Sequence, residues 1–218
     1  MKKTVVDYRG FRPSKINEPQ FAHLKLLGWC ILFFIMYFFT GRFTPIEKCY
    51  VVYSPLDDLF PFCEIFIVPY VLWYFLVAGS ILYFALYNIE NFNNLQKYII
   101  ITQVVATITY IVFPTTHNLR PIEFEKDNIF AHLVAILYQI DPPTNVLTSL
   151  HVAFSVAIAS IWLREESAKL WWKIFVVIFA VLVFLSTVYT KQHSVIDGIA
   201  AMFVCLFAEY LLFWRKRN

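Results

Sequence analysis

The sequence predicts an all-α, polytopic membrane protein: a bundle of six transmembrane helices with one short interfacial helix between the third and fourth spans. Three observations predict it. Of 218 residues, 60% are hydrophobic and only 15% are charged, whereas a soluble domain is roughly half apolar and about a quarter charged. Crossing a bilayer as a helix takes about twenty mostly apolar residues. Six stretches qualify: 25–41, 65–87, 97–113, 145–163, 171–189 and 194–214. Finally, the basic residues divide unequally between the two faces that six crossings create.

Residues 1–24 are polar and basic, with no small-residue cleavage site after the first apolar run, so they read as an N-terminal segment and not a cleaved leader. After the first span, 42–64 contains "SPLDDLFPFCE", too polar to cross. Its acids Asp57, Asp58 and Glu64 read as solvated loop carboxylates that could orient a headgroup. Cys49 and Cys63 could pair if this loop faces an oxidising compartment. Cys30 and Cys205 lie in apolar runs and read as core, and the four cysteines lack metal-type spacing. Pro69 falls near the start of the second span, where proline is tolerated. A turn over 88–97 leads into the third span. The long connection 114–144 holds "HNLRPIEFEKD" and then "NIFAHLVAILYQI", thirteen residues and too short to span, which predicts an interfacial helix. The fourth span, the 164–173 turn, the fifth span, a short polar turn and the sixth span complete a membrane domain over 25–214, with a tail at 215–218.

Lys and Arg accumulate on cytoplasmic loops. Thirteen of the eighteen lie at the termini and in the 88–97 and 164–173 turns. The other five, Arg42, Lys48, Arg120, Lys126 and Lys191, lie on the opposite side. The termini are therefore expected in the cytoplasm and the long loops outside. Trp29, Trp73, Trp171, Trp172 and Trp214 sit largely near span ends, as an interfacial belt would, and His23 and His132 read as interfacial. A net charge of +3, with no basic patch interleaved with aromatics, excludes nucleic acid as partner.

The polar residues that break the apolar runs all fall on the outer side. His193 and Asp197 are four apart, so on a helix they share a face. They fit a carboxylate that fixes an imidazole tautomer, leaving the other nitrogen as nucleophile or base; they fit equally a cap at the start of the sixth span. His151 lies in the first turns of the fourth span, where an ionisable group is costly and suggests function; it could instead bond a neighbouring helix. Ser149 stands at the same helix entrance as a cap, a packing hydroxyl or a ligand. Arg120 and Lys191 add two cations suited to an anion, or to snorkelling toward headgroups. His117 reads as a loop residue close to Arg120. Together the set fits phosphoryl transfer through a covalent histidine intermediate, with one His attacking, a second protonating the leaving oxygen, and cations holding the phosphate oxygens. That chemistry needs no metal or cofactor. A facial triad of His151, His193 and Asp197 is the metal-binding alternative, which the neighbouring cations oppose.

These motifs resemble the type 2 phosphatidic acid phosphatase superfamily, the lipid phosphate phosphatases. That family carries Lys-x6-Arg-Pro, Pro-Ser-Gly-His and Ser-Arg-x5-His-x3-Asp. Here "RP" stands at Arg120–Pro121, "TSLH" at 148–151 and "STVYTKQHSVID" at 186–197, in the same order and over roughly residues 110–200. The resemblance implies His193 as nucleophile, Asp197 as its partner, His151 as general acid, and Arg120, Ser149 and Ser186 as phosphate ligands. Phe113 stands where the family has its first-block Lys, Thr187 where it has Arg, and Thr148 and Leu150 where it has Pro and Gly. By position Lys191 restores one lost cation. The pattern is closest to the inositol phosphorylceramide synthase and sphingomyelin synthase branch, which "SPLDDLFPFCEIFIVPYVLWY" at 54–74 also resembles. The expectation is an integral membrane enzyme hydrolysing a lipid phosphate or diphosphate, phosphatidic acid-like or isoprenoid. A headgroup phosphotransferase built on the same residues is the first alternative. A non-enzymatic transporter or scaffold is the second, although no pair of related halves with broken helices is visible.

Overall fold

A computed structural model describes residues 4–215. Seven α-helices are present among them: α1 (Lys25–Phe43), α2 (Ile67–Tyr87), α3 (Ile89–Val112), α4 (Ile129–Ile140), α5 (Leu150–Arg164), α6 (Leu170–Tyr189) and α7 (Val195–Glu209). α7 is followed by a π-helical turn, Tyr210–Trp214. The expected tail 215–218 lies, beyond Arg215, outside the described residues, as do Lys2 and Lys3. The fold is all-helical apart from one pair of two-residue parallel strands, β1 (Tyr50–Val51) and β2 (Thr115–Thr116).

Five segments, Ala22–Phe43, Glu64–Tyr87, Ile89–Val112, Leu170–Tyr189 and Val195–Trp214, are long and apolar enough to cross a membrane. Their outward faces carry large apolar side chains such as Phe34 (67% exposed), Phe75 (70%) and Phe203 (68%). Apolar side chains exposed to this extent suggest a membrane protein.

Two expected spans are corrected. The fourth, placed at 145–163, is the helix Leu150–Arg164, only 15 residues and about 22 Å long. Residues before it are held out of the helix because they are tied elsewhere: Asn145, at φ 58°, donates its N–H to Thr115 O, Leu147 N–H donates to Thr115 Oγ1, and Thr144 bridges Thr116. The third begins at Ile89, not 97, so the expected 88–97 turn is helical. Asn88 caps it, its side chain accepting the Asn91 amide, and the polar first turns are buried at Asn91, Phe92, Leu95 and Gln96.

α5 forms the centre of the bundle, in contact with α2, α3, α6 and α7. Its sequence suits that place: Ala153, Ser155, Ala157, Ala159 and Ser160 are buried and small, which lets neighbouring backbones approach closely. Polar contacts tie the helices together at two ends. At one end the Ser149 amide donates to Asp197 O, ahead of α5 and in the first turn of α7. At the other, Arg164 pairs with Glu209 at 2.8 Å, and Asn88 and Asn91 donate to Glu165. Residues 4–24 pack under that second end. Phe21 is buried there, Val5 N–H donates to Leu86 O, and Tyr8 Oη donates to Ala85 O while accepting from His23 Nε2. His23, expected at an interface, is thus a buried part of this packing.

α4 buries Ala131, sets Val134 in a cluster with Ile67 and Tyr70 of α2, and exposes Ile129, Leu133, Ile136 and Ile140. Cys49 and Cys63, offered as a disulfide pair, are both free thiols.

Candidate functional site

The turn between α6 and α7 builds the first half of the site. Thr187 O accepts the amides of both Gln192 (2.9 Å) and His193 (3.0 Å), closing the turn, and Lys191 takes a left-handed conformation with φ 54°. Ser194 is the N-cap of α7 and Asp197 its third residue, forming a capping box. Asp197 Oδ2 accepts the Ser194 amide at 2.9 Å and stands 3.2 Å from His193 Nδ1. One carboxylate oxygen therefore both caps α7 and pairs with the His193 ring. With Nδ1–H donating to Asp197, the Nε2 lone pair of His193 points away from the carboxylate.

The second half comes from α5 and α2. The His151 ring lies against Tyr70 (4.5 Å between centroids) and Trp73 (4.4 Å), and 6.0 Å from the His193 ring. The bond from Ser149 N–H to Asp197 O, 3.3 Å, fixes the start of α5 against the start of α7 and so fixes one imidazole relative to the other. Ser149 is the N-cap of α5, yet its hydroxyl makes no capping bond.

The cations are arranged differently from the sequence expectation. Arg120 donates from Nη1 to Tyr138 O (3.2 Å) and from Nη2 to Asp141 O (2.7 Å) and Gln192 Oε1, with its guanidinium over the Tyr138 ring. Its fork thus holds the C-terminal carbonyls of α4, and only Nε is without a partner. Lys191 donates to the backbone carbonyl of Asp57 at 3.0 Å. Burial pulls its pKa down, against the opposing pull of Asp57 and Asp58. Ser186 turns its hydroxyl to Val183 O, 2.7 Å, within α6. His117 accepts the Leu119 amide at Nδ1, so its Nε2 carries the proton donated to Gln192 O at 3.0 Å. Burial, reinforced by Arg120 and His193, pushes its pKa down to about 3, so this ring is neutral. Gln192 is thereby gripped by both His117 and Arg120.

Sequence reasoning misplaced Asp57 and Glu64. Asp57 is 1% exposed, and its carboxylate accepts Ser54 N–H (2.8 Å), Ser194 Oγ–H (2.7 Å) and Val195 N–H (2.7 Å). A helix N-terminus attracts such an anion, because its amides are unpaired and its dipole is positive there. The readable signal was "SPLD", a capping box at Ser54 with proline in the first turn. Glu64 is also buried, taking Lys126 Nζ and Asn128 Nδ2, each at 3.0 Å. Asp58 alone is the exposed carboxylate expected, and it accepts Tyr53 Oη–H.

Seven buried side-chain atoms around the two imidazoles have no protein partner: Tyr70 Oη, Trp73 Nε1, Arg120 Nε, Ser149 Oγ, His151 Nε2, Gln192 Nε2 and Asp197 Oδ1. Buried polar groups are ordinarily satisfied by protein or water, so these donors and acceptors are open to water or a polar ligand. Among the described residues no three or more His, Cys, Asp or Glu are grouped to hold a metal ion. No protein-family model matches the chain, and no curated protein or solved structure matches it either.

Proposed function

We propose that this protein is an integral membrane phosphatase that hydrolyses a lipid phosphate or diphosphate through a phospho-histidine on His193. One observation carries the reading: His193, oriented by Asp197, stands 6.0 Å from His151 in the midst of unpartnered buried donors. In the first step His193 Nε2 attacks phosphorus, the P–O bond breaks, and protonated His151 gives its proton to the departing oxygen. Asp197 stabilises the positive charge left on the His193 ring. In the second step water attacks the phosphoryl group, His151 takes its proton, and the P–N bond breaks. Ser149 Oγ and Arg120 Nε are the donors for the phosphoryl oxygens.

A lipid substrate is supported by two apolar hollows along α2 and α6, of about 420 and 540 Å³, which share Leu72, Phe175 and Phe179. Phe179 packs with Trp73, and Trp73 packs on His151, so a chain in this groove would end beside the site. The membrane arrangement we infer is six crossings with both termini cytoplasmic and the site at the outer face. The bias of basic residues supports it, and so does the enclosure of short α5 by four other helices, which spares its ends contact with lipid. The outward apolar face of α4 fits an interfacial helix.

A headgroup phosphotransferase is the second reading. Tyr37 Oη donates to Asp141 Oδ1 at 2.7 Å beside the Arg120-held carbonyl, and Tyr70 Oη is unpartnered; a polyhydroxylated acceptor could use these groups in place of water. Purified protein supplied with phosphatidic acid or an isoprenoid diphosphate, with and without an alcohol acceptor, separates the two. Free phosphate that vanishes in His193→Ala supports the phosphatase, phosphate found only on the acceptor supports the transferase, and turnover surviving both His193→Ala and His151→Ala sinks the site.

A further inference from the structure

We propose that Asp57 is a positioning residue of the His193 site, a buried clamp that sets the imidazole by holding the chain on both sides of it; its effect on turnover rests on the phosphoryl-transfer reading above. Two residues before His193, the Lys191 ammonium donates to the Asp57 carbonyl oxygen. One and two residues after it, Ser194 Oγ–H and Val195 N–H donate to the Asp57 carboxylate, each at 2.7 Å. Asp57 belongs to a distant loop that is itself closed by the Ser54 amide. It therefore acts on the α6–α7 turn as an external fixture and not as part of it.

Three features make the clamp more than packing. First, Lys191 is a non-glycine residue at φ 54°, a conformation that persists only where surrounding bonds fix it. Second, the first turn of α7 divides its donors between two carboxylates. Asp57 takes Val195 N–H, which leaves Asp197 Oδ2 to serve only Ser194 N–H and His193. Without Asp57, the Val195 amide and the Ser194 hydroxyl would compete for Asp197, the group that orients His193. Third, the Ser194 hydroxyl relays the clamp: it gives its proton to Asp57 and accepts the Ile196 amide.

The test is Asp57→Asn in the purified full-length protein. The amide can still accept Val195 N–H, and the backbone carbonyl still takes Lys191, but the Ser194 hydroxyl and the Ser54 amide, which share Oδ2, both lose their acceptor. The probe is diethyl pyrocarbonate, with carbethoxylation of each histidine followed by mass spectrometry. We expect the His193 rate to change severalfold as the ring loses its fixed orientation, with exposed His132 unchanged as internal reference. For phosphoryl turnover we expect kcat to fall about tenfold or more from misplacement of the nucleophile, with KM held and Asp57→Glu failing to restore it. Should Asp57→Asn not fold, Ser194→Ala removes the hydroxyl's bond to Asp57 together with its cap on the Ile196 amide, and must shift His193 reactivity in the same direction. His193 reactivity and kcat both within a factor of about two of the parent in a folded Asp57→Asn would overturn the clamp. A parent protein without turnover, whose His193 reactivity still shifts in the variant, would sink the phosphoryl-transfer reading and leave the clamp standing.

Discussion

His193 and Asp197 are joined through the carboxylate oxygen that also closes the first turn of α7: Asp197 Oδ2 is 3.2 Å from His193 Nδ1 and 2.9 Å from the Ser194 amide. The cap of α7 and the partner of the proposed nucleophile are one group, so stability and reactivity are coupled at this residue and can be separated by choice of substitution.

Asp197→Asn keeps an oxygen for the Ser194 amide and loses the carboxylate that stabilises a charged His193 ring. Turnover is expected to fall by about 10²–10⁴, with a thermal midpoint in detergent close to the parent's. Asp197→Ala removes the cap as well and is expected to cost a further ~1–3 kcal/mol of stability. Equal thermal midpoints for the two variants would show that the cap contributes nothing.

His151→Gln removes the proposed proton donor for the leaving oxygen. The rate on an alkyl phosphate is expected to drop by about 10²–10⁴. A substrate with an acidic leaving group, such as p-nitrophenyl phosphate, needs no such proton and should lose far less. An equal loss on both substrates would remove His151 from the general-acid role.

Arg120→Lys keeps a charge but cannot hold Tyr138 O, Asp141 O and Gln192 Oε1 together, because only a guanidinium fork reaches three such acceptors. The expected cost is about 2–4 kcal/mol from buried carbonyls left without donors. Thermal unfolding measures it; an unchanged midpoint would show that Arg120 does not secure α4.

Gly198 lies one residue past Asp197, and a Cβ there would run into the Phe184 ring of α6. Gly198→Ala should destabilise by about 1–3 kcal/mol through overpacking. It should also lower turnover, because α7 must shift to relieve the collision. Loss of stability with full turnover would separate the α6–α7 packing from the site.

His117 is held neutral, its pKa pushed down from 6.5 to about 3. The unfolded chain binds a proton there below pH 6.5 and the folded chain does not, so its contribution is fully present above that pH and is lost as pH falls toward 3. Stability of the parent should decline with acidification over this window by up to about 1.4 kcal/mol per pH unit from this group. His117→Gln should remove that share of the slope. Parallel pH profiles for parent and variant would contradict the assignment.

Much of this arrangement can be read from the residues because apolar length and charge bias are local properties. The ends of α1, α2 and α6 fall within two residues of the apolar runs that predict them. α3 and α5 do not, for non-local reasons. The polar start of α3 is stable as a helix because its Asn91 and Gln96 are buried in packing that no window of hydropathy reports. α5 is shortened because residues 144–147 bond to Thr115 and Thr116, thirty residues away in the chain. At the site, the His193–Asp197 pair was readable from its spacing of four. Its proximity to His151 followed from topology. The roles of Arg120, Lys191 and Asp57 were not readable, since a cation looks the same in sequence whether it faces an anion or a carbonyl. Asp57 looked like any loop acid, yet it closes the N-terminus of a helix 138 residues later.

The central claim is that His193 carries the phosphoryl group. The direct measurement is a rapid acid-free quench after mixing the protein with a ³²P-labelled lipid phosphate, followed by peptide mapping. The account predicts acid-labile, base-stable label on the peptide containing His193, chased by water or an alcohol and absent from His193→Ala. Undiminished turnover in His193→Ala, with no label on that peptide in the parent, would contradict it.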